Sequence, residues 1–166
     1  MSINLREATS ADLEAIARGN VLMAEETEGK ALDWDTVRAG VATALADAEH
    51  GRYWVAEIDG RIAGQIMVTY EWSDWRNGVM WWIQSVYVDT DFRRQGVFSA
   101  LYRHVETMAQ AAGNCAGIRL YVEKENQRAQ ATYVALGMED AGYTVMEVDF
   151  SKSGQETLTM DKGSSC

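Results

Sequence analysis

The chain has 166 residues, of which 47% are hydrophobic and 24% are charged, and its formal net charge is −10. This length predicts one domain with a core of its own, and the acidic balance argues against nucleic-acid binding, which needs a basic surface. The sequence has no apolar run of about 18 residues and no signal pattern at its start, so we expect a cytoplasmic protein without membrane contact. Neither Cys115 nor Cys166 has a CxxC partner, and no metal site is expected.

The first half of the chain predicts two helices and an antiparallel sheet. Asp59-Gly60 and Asn77-Gly78 are both dipeptides that favour tight hairpin turns. The expected elements are a strand over residues 3–8, helices over about 11–24 and 35–48, and strands over 53–58, 61–72 and 79–89.

The second half alternates strand and helix, as parallel β-α-β units do. The expected elements are a helix over 96–112, a strand over 117–122, a helix over 126–136 and a last strand over 143–150. The predicted class is α+β: a mixed, mostly antiparallel sheet with one parallel crossover. Residues 1–150 are expected to form a single domain and residues 151–166 a polar, flexible tail.

An acidic segment, EETEGKALDWD, lies between the first two predicted helices. It carries five carboxylates against the single cation Lys30: Glu25, Glu26, Glu28, Asp33 and Asp35. One interpretation is a solvated charged face, and the other is a mobile acidic lip over a site that receives a cation.

The stretch FRRQGVFSALYRHV, residues 92–105, places Arg93 and Arg94 before Gly96 at the start of a predicted helix. Unpaired N–H groups at a helix N-terminus bind phosphate, and glycine lets the backbone approach a ligand closely. The alternative is a plain turn with surface arginines. No P-loop or GxGxxG pattern is present. The inward face of this helix is expected to consist of Val97, Leu101, Met108 and Ala112.

A second group of residues shares one face of the helix over 126–136. The spacing of Asn126, Ala129, Tyr133 and Leu136 is three, four and three. Tyr133 could donate a proton to a departing thiolate, and Asn126 could contact a ligand. The alternative is that Asn126 caps the helix while Tyr133 packs.

Aromatic residues lie near carboxylates in the predicted hairpin. Trp72 and Trp75 flank Asp74, while Trp81 and Trp82 lie next to each other in the following strand and should face opposite ways. Such a set suits an amine or sugar pocket, and rings that only fill the sheet are the alternative.

The stretches VYVDTDFRRQGVFSALYRHV and ENQRAQATYVALGM together resemble two motifs of the GNAT superfamily of N-acetyltransferases. The first is similar to its acetyl-CoA signature, Q/R-x-x-G-x-G/A, and the second to its N..A...Y..LG motif. The order and separation also match, over about residues 3–150. This resemblance implies a GNAT fold and acetyl-CoA (coenzyme A) as cofactor.

The resemblance also implies roles for individual residues. Tyr133 would be the general acid, and an N–H near Val86 would stabilise negative charge on the thioester oxygen. The strand Gln84–Val88 would pair with the pantetheine arm. The implied cofactor contacts are Val86, Tyr87, Val88, Arg93, Arg94, Gln95, Gly96, Val97, Phe98, Ser99, Asn126 and Ala129.

Two positions depart from the family pattern. Phe98 stands at the final G/A, where a bulky side chain fits only if it points inward. Gln84 stands where the family often has a carboxylate, so either another side chain is the general base or a water relay suffices for an amine with a lowered pKa. Glu71 is the first candidate, followed by Asp74, Glu26 and Glu28. Expected substrate contacts are Glu26, Glu28, Trp72, Asp74 and Gln84.

The expected function is acetyl-CoA-dependent acetylation of a primary amine on a small cation, either a polyamine or an aminoglycoside antibiotic. The acidic segment and net charge favour cations by electrostatic steering. One alternative is acetylation of a protein lysine or N-terminus. Another is a non-catalytic acyl-CoA sensor, which Gln84 and Phe98 favour. A homodimer is compatible with the exposed tryptophans expected here.

Overall fold

The computed structural model describes residues 2–151. They form parts of two compact units, which divide between Tyr121 and Val122 and are described separately below. The elements of the first unit are β1 (Asn4–Glu7), α1 (Leu13–Glu28), α2 (Trp34–Ala46), β2 (Arg52–Ile58), β3 (Arg61–Ser73), β4 (Gly78–Val88), α3 (Val97–Ala111) and β5 (Cys115–Leu120). Short 3-10 turns at Ser10–Asp12 and Thr90–Phe92 precede α1 and α3.

The five strands form one sheet in the order β1-β2-β3-β4-β5. The first four strands pair antiparallel, and β5 pairs parallel to β4 after the α3 crossover. This confirms the predicted mixed sheet. At the β2–β3 turn, Asp59 and Gly60 have φ values of 50° and 76°, the left-handed pair that a tight hairpin requires.

Helices cover both faces of this sheet. On one face, the buried Gln65 side chain of β3 donates a 3.0 Å hydrogen bond to the Ile16 carbonyl of α1. On the other face, the Trp54 ring of β2 lies 6.1 Å from the His104 ring of α3. We call these the α1 face and the α3 face. Since side chains alternate along a strand, odd-numbered residues of β3 from Gln65 to Glu71 belong to the α1 face.

A buried carboxylate fixes the start of α1 to β1. Asp12 accepts hydrogen bonds from both terminal nitrogens of Arg6, at 2.8 and 2.9 Å, and from the Thr9 amide at 2.7 Å. The hydrogen bond with Arg6 is the main cause of the lowered pKa of Asp12, which burial alone would raise. This pair anchors the first turn before α1.

Helix α3 packs closely on β3 because Gly64 has no side chain. A Cβ at Gly64 would lie 2.8 Å from Val97 Cγ1 and 3.2 Å from Leu101 Cδ1. The inward face of α3 therefore begins with these two residues, as predicted. It continues through Val105 and Ala109, whereas Met108 and Ala112 are exposed. The predicted stripe was wrong at its end because the buried residues follow four-residue steps, each of which moves the buried face about 40° around the helix.

The second unit contains α4 (Gln127–Ala135) in its described part, residues 122–151. The predicted helix is confirmed, but no strand forms at 143–150 among these residues. That run is rich in β-prone side chains, yet a strand also needs a neighbouring strand to take its backbone hydrogen bonds. Most of the predicted tail, residues 152–166, lies outside the described residues.

Candidate active site

The loop before α3 presents an open helix N-terminus. Gly96 adopts φ 82°, and a Cβ placed there would meet no atom within 4 Å. Helix α3 begins at the next residue without a side-chain cap, so the N–H groups of its first turn have no intrahelical or capping partner. The loop therefore has backbone donors and a positive helix end that an anion could approach, and anion binding there stays a prediction.

The two loop arginines differ in their surroundings. Arg93 donates to the Val88 carbonyl at 3.0 Å and to Glu26 Oε2 at 2.6 Å. Its guanidinium also lies 5.8 Å from the centre of the Tyr87 ring. Arg94 has φ 62°, and none of the described residues pairs with its side chain. Of the two, Arg94 is the side chain that could neutralise a bound anion without first giving up a partner.

Phe98 extends along α3 to the next turn. Its ring stacks with that of Tyr102, with 6.5 Å between centroids, and Tyr102 is buried. This contact gives the bulky residue a position within the first turn of the helix. The departure from the family pattern is therefore accommodated by packing within α3.

Strand β4 contains a bulge at Gln84. Ser85 is opposite Met67 and Ile83 is opposite Val68, so Gln84 is an extra residue between the two pairs. Its side-chain amide donates to Thr69 Oγ1 at 2.7 Å. Bulges commonly re-aim side chains and interrupt pairing beside functional sites.

Beyond the bulge, β4 extends past the end of its parallel neighbour, β5. The β4–β5 ladder ends at the pair Ile83–Leu120, while β4 continues to Val88. Residues 85–88 therefore pair with β3 but not with β5. An extended ligand could hydrogen-bond along that edge, which is where the pantetheine arm was predicted.

Glu71 lies within a polar and aromatic cluster on the α1 face. The Trp82 indole N–H donates to Glu71 Oε2 at 2.8 Å, and Arg119 Nη1 lies 3.6 Å from Glu71 Oε1. The Tyr121 ring lies 4.6 Å from that of Trp82. The Glu71 side chain is nevertheless 49% exposed. We call Glu71, Trp82, Arg119 and Tyr121 the Glu71 cluster.

A buried polar network joins β2 and β3 to α1. Gln65 donates to Asn20 Oδ1 at 3.0 Å, and Asn20 donates to the Tyr53 hydroxyl at 3.1 Å. Burial raises the pKa of Tyr53, and the hydrogen bond with Asn20 opposes that shift. The network therefore connects the centre of the sheet to α1.

The other predicted substrate contacts lie outside the Glu71 cluster. Trp72 is 61% exposed and, by alternation along β3, faces the α3 side of the sheet. Asp74 belongs to the β3–β4 turn and accepts from the Trp75 amide at 2.9 Å. Glu28 ends α1 and pairs with Lys30 at 2.6 Å. The structure thus places these three side chains outside the Glu71 cluster, and their roles as substrate contacts stay predictions.

Asn126 and Tyr133 belong to the second unit. The Asn126 side chain caps α4 by accepting from the Ala129 amide at 3.0 Å. Tyr133 lies two turns along the same helix and is half-buried. Their predicted contact with the cofactor and the general-acid role stay predictions.

Reasoning from sequence missed Arg119 and Tyr121. Both lie at the carboxyl end of β5 or just after it, where ligands commonly bind in open α/β sheets. That rule was the available signal, and it was applied only to the end of β4. Trp81 and Trp82 do face opposite ways as expected, since Trp81 is buried against Trp54 and Trp82 contacts Glu71.

In the part of the chain that the structure describes, no helix combines the length and apolar character needed to cross a membrane. No group of three or more potential metal-ligating side chains occurs among residues 2–151.

Residues 18–138 match the model of the Acetyltransferase (GNAT) family. The crystal structure of a possible acetyltransferase from Clostridium difficile 630 is 46% identical, with a TM-score of 0.85, over 90% of this chain and 98% of that one. An uncharacterized N-acetyltransferase from Methanocaldococcus jannaschii is 35% identical over 88 residues, which is 53% of each protein. The chain therefore matches about half the length of that curated relative.

A more distant structure shares the fold alone. The aminoglycoside N-acetyltransferase AAC(6')-Iy in complex with CoA is 18% identical, with a TM-score of 0.73, over 90% of this chain and 95% of that one.

Proposed function

The chain belongs to the GNAT family of acetyltransferases, and on this premise we propose that it transfers the acetyl group of acetyl-CoA to a primary amine on a small cationic acceptor. The observation that carries the acceptor class is the half-exposed Glu71 carboxylate beside the rings of Trp82 and Tyr121. A carboxylate next to aromatic faces attracts an ammonium group by charge and by cation–π contact.

The donor half of the proposal rests on the loop and on β4. The open backbone at Gly96 and the uncapped first turn of α3 suit a pyrophosphate, and Arg94 adds a cation that none of residues 2–151 pairs with. The β4 edge beyond Ile83 suits an extended arm that carries amides. Acetyl-CoA, when bound, supplies an activated thioester carbonyl.

We assign the chemical roles among the chain's own groups as follows. Glu71 accepts a proton from the acceptor amine, directly or through a water molecule. A backbone N–H near Val86, beyond the bulge, would stabilise the charge that develops on the carbonyl oxygen of a bound thioester. The resemblance assigns to Tyr133 the role of general acid, in which its phenolic hydroxyl would supply a proton to the departing thiolate sulfur.

Arg119 limits how strongly Glu71 attracts a cation. At 3.6 Å it offsets part of the carboxylate charge, but this distance is longer than that of a tight ion pair. The net charge of −10 adds a long-range contribution that concentrates cations near the molecule. Polycations should therefore be better acceptors than neutral amines, and salt should weaken the preference.

A thiol-release assay with acetyl-CoA tests this proposal against polyamines, aminoglycosides, amino acids and lysine peptides. We expect turnover with one of the polycation classes and a rise in KM for that acceptor as salt increases. Equal turnover of neutral amines at all salt concentrations would contradict the acceptor class. Tight CoA binding without any turnover would favour the sensor alternative.

A further inference from the structure

Arg93 and Glu26 are in contact in the structure, although the sequence analysis predicted that they bind different substrates. Arg93 opens the cofactor motif, and Glu26 belongs to the acidic segment expected to receive the acceptor. In the structure they form one of the shortest ion pairs, with 2.6 Å between Arg93 Nη2 and Glu26 Oε2. The two residues are 67 positions apart in the chain.

Arg93 is oriented back onto the end of β4. Its Nε donates to the Val88 carbonyl at 3.0 Å, and its guanidinium approaches the Tyr87 ring. These contacts and the Glu26 pair engage the guanidinium from three sides. A side chain held in this way anchors its own backbone against β4 and α1.

The adjacent backbone needs such an anchor. Arg94 is a non-glycine residue in the left-handed region, with φ 62°, and Gly96 follows at φ 82°. A left-handed conformation in a residue with a Cβ is unfavourable and persists only where neighbouring contacts enforce it. Arg93, immediately before Arg94, supplies those contacts.

We propose that Glu26 and Arg93 are positioning residues that pre-organise the donor-binding loop, with Arg94 left as the side chain that meets the phosphates. This inference rests on the proposed function for the identity of the donor. It changes the roles of two residues: Glu26 serves the donor rather than the acceptor, and Arg93 acts through the backbone rather than by direct contact. Pre-organisation lowers the conformational cost of binding.

The sign of one mutational effect separates this inference from direct phosphate contact. If Arg93 bound phosphate directly, Glu26→Gln would release the guanidinium and remove a nearby negative charge, so CoA would bind more tightly. If the pair positions the loop, Glu26→Gln weakens CoA binding despite that favourable change in charge. Plain electrostatics and positioning therefore predict opposite results.

Isothermal titration with CoA, without any acceptor, is the experiment. We expect Glu26→Gln and Arg93→Gln each to raise the Kd for CoA about tenfold, and the double variant to be no worse than either single one. Arg94→Gln should weaken binding and reduce its salt dependence, whereas the two positioning variants should keep the wild-type salt slope.

The matched control is Glu25→Gln, which removes the same charge from the adjacent residue of α1 without breaking the pair. It should leave CoA affinity unchanged or slightly improved. In the acetylation assay, kcat at saturating acetyl-CoA should stay near wild type for Glu26→Gln while KM for acetyl-CoA rises. A fall in thermal stability alone would not produce this division between KM and kcat.

Tighter or unchanged CoA binding in Glu26→Gln, with normal binding by the wild type, would overturn the inference and leave the proposed function intact. Absence of CoA binding by the wild type would overturn both. Because no acceptor is present in the titration, an error in the acceptor class cannot affect this result.

Discussion

Two of the carboxylate–arginine pairs on the α1 face differ in ways that suit different tasks. Glu26 and Arg93 approach to 2.6 Å, and Arg93 is anchored further by a carbonyl and a ring. Glu71 and Arg119 are 3.6 Å apart, and Glu71 shares its second oxygen with the Trp82 indole. A short, multiply anchored pair fixes a backbone, whereas a looser one leaves a carboxylate able to accept a further partner.

A third pair, Arg6–Asp12, has the most buried carboxylate of the three. It is bidentate, and the Asp12 side chain is only 8% exposed. It lies at the start of α1 and holds neither the donor loop nor the Glu71 cluster. Comparing the three pairs by mutation therefore separates stability, donor binding and chemistry.

The largest effect is expected at Glu71. Glu71→Gln keeps the size of the side chain and its contact with Trp82 but removes the proton acceptor, so kcat should fall about 100-fold. Steady-state kinetics with the best acceptor would measure this. Glu14→Gln, at a surface carboxylate paired with Arg38, is the matched control and should retain full activity. A fall of less than threefold in Glu71→Gln would remove Glu71 from the chemistry.

Asp12→Asn should act on stability alone. Leaving Arg6 without its bidentate partner should lower the free energy of unfolding by about 2 kcal/mol at pH 7. The folded-state pKa of Asp12 is depressed, so the wild-type advantage is present above its ordinary pKa of about 3.9 and disappears as pH falls through the folded value.

Urea denaturation of wild type and Asp12→Asn, at pH 7 and again near pH 3, would test that sign. The difference in stability between the two proteins should be smaller near pH 3 than at pH 7, while activity per folded molecule stays equal at pH 7. A constant difference at both pH values would show that packing rather than ionisation accounts for the loss.

The smallest of the three effects is expected at Trp82. Trp82→Phe keeps an aromatic ring beside Tyr121 but removes the donor to Glu71, so kcat should fall about fivefold, or roughly 1 kcal/mol in the barrier. In the Glu71→Gln background the same change should have almost no effect, because the two residues act together. Full additivity in this cycle would show that the indole does not orient the carboxylate.

Local sequence patterns predicted most of the helices and strands of the fold. Alternating strands, Asp59-Gly60 and the helical spacing after Gly96 each predicted the right element, because turn chemistry and periodicity are read from neighbours in the chain. The open N-terminus of α3 followed from the same kind of signal. The run over 143–150 failed because a strand depends on a partner that local propensity cannot supply.

The composition of the site depended on longer range. Whether Glu71 or Trp72 contacts Trp82 depends on which face of β3 each side chain occupies. Predicting that contact requires the register between β3 and β4. Arg119 joins Glu71 only because β5 pairs parallel with β4 in one register. The contact between Glu26 and Arg93 spans 67 residues, so no local pattern reveals it.

The close packing of α3 on Gly64 makes the position of the loop before α3 depend on the size of residue 64. A methyl group at residue 64 would meet Val97, the first residue of α3, and Leu101 one turn later. Any side chain there acts as a spacer that lifts the near end of the helix from the sheet, and the loop at Gly96 must move with it. The missing side chain at Gly64 thus determines how closely the start of α3, and with it the loop at Gly96, can approach the sheet.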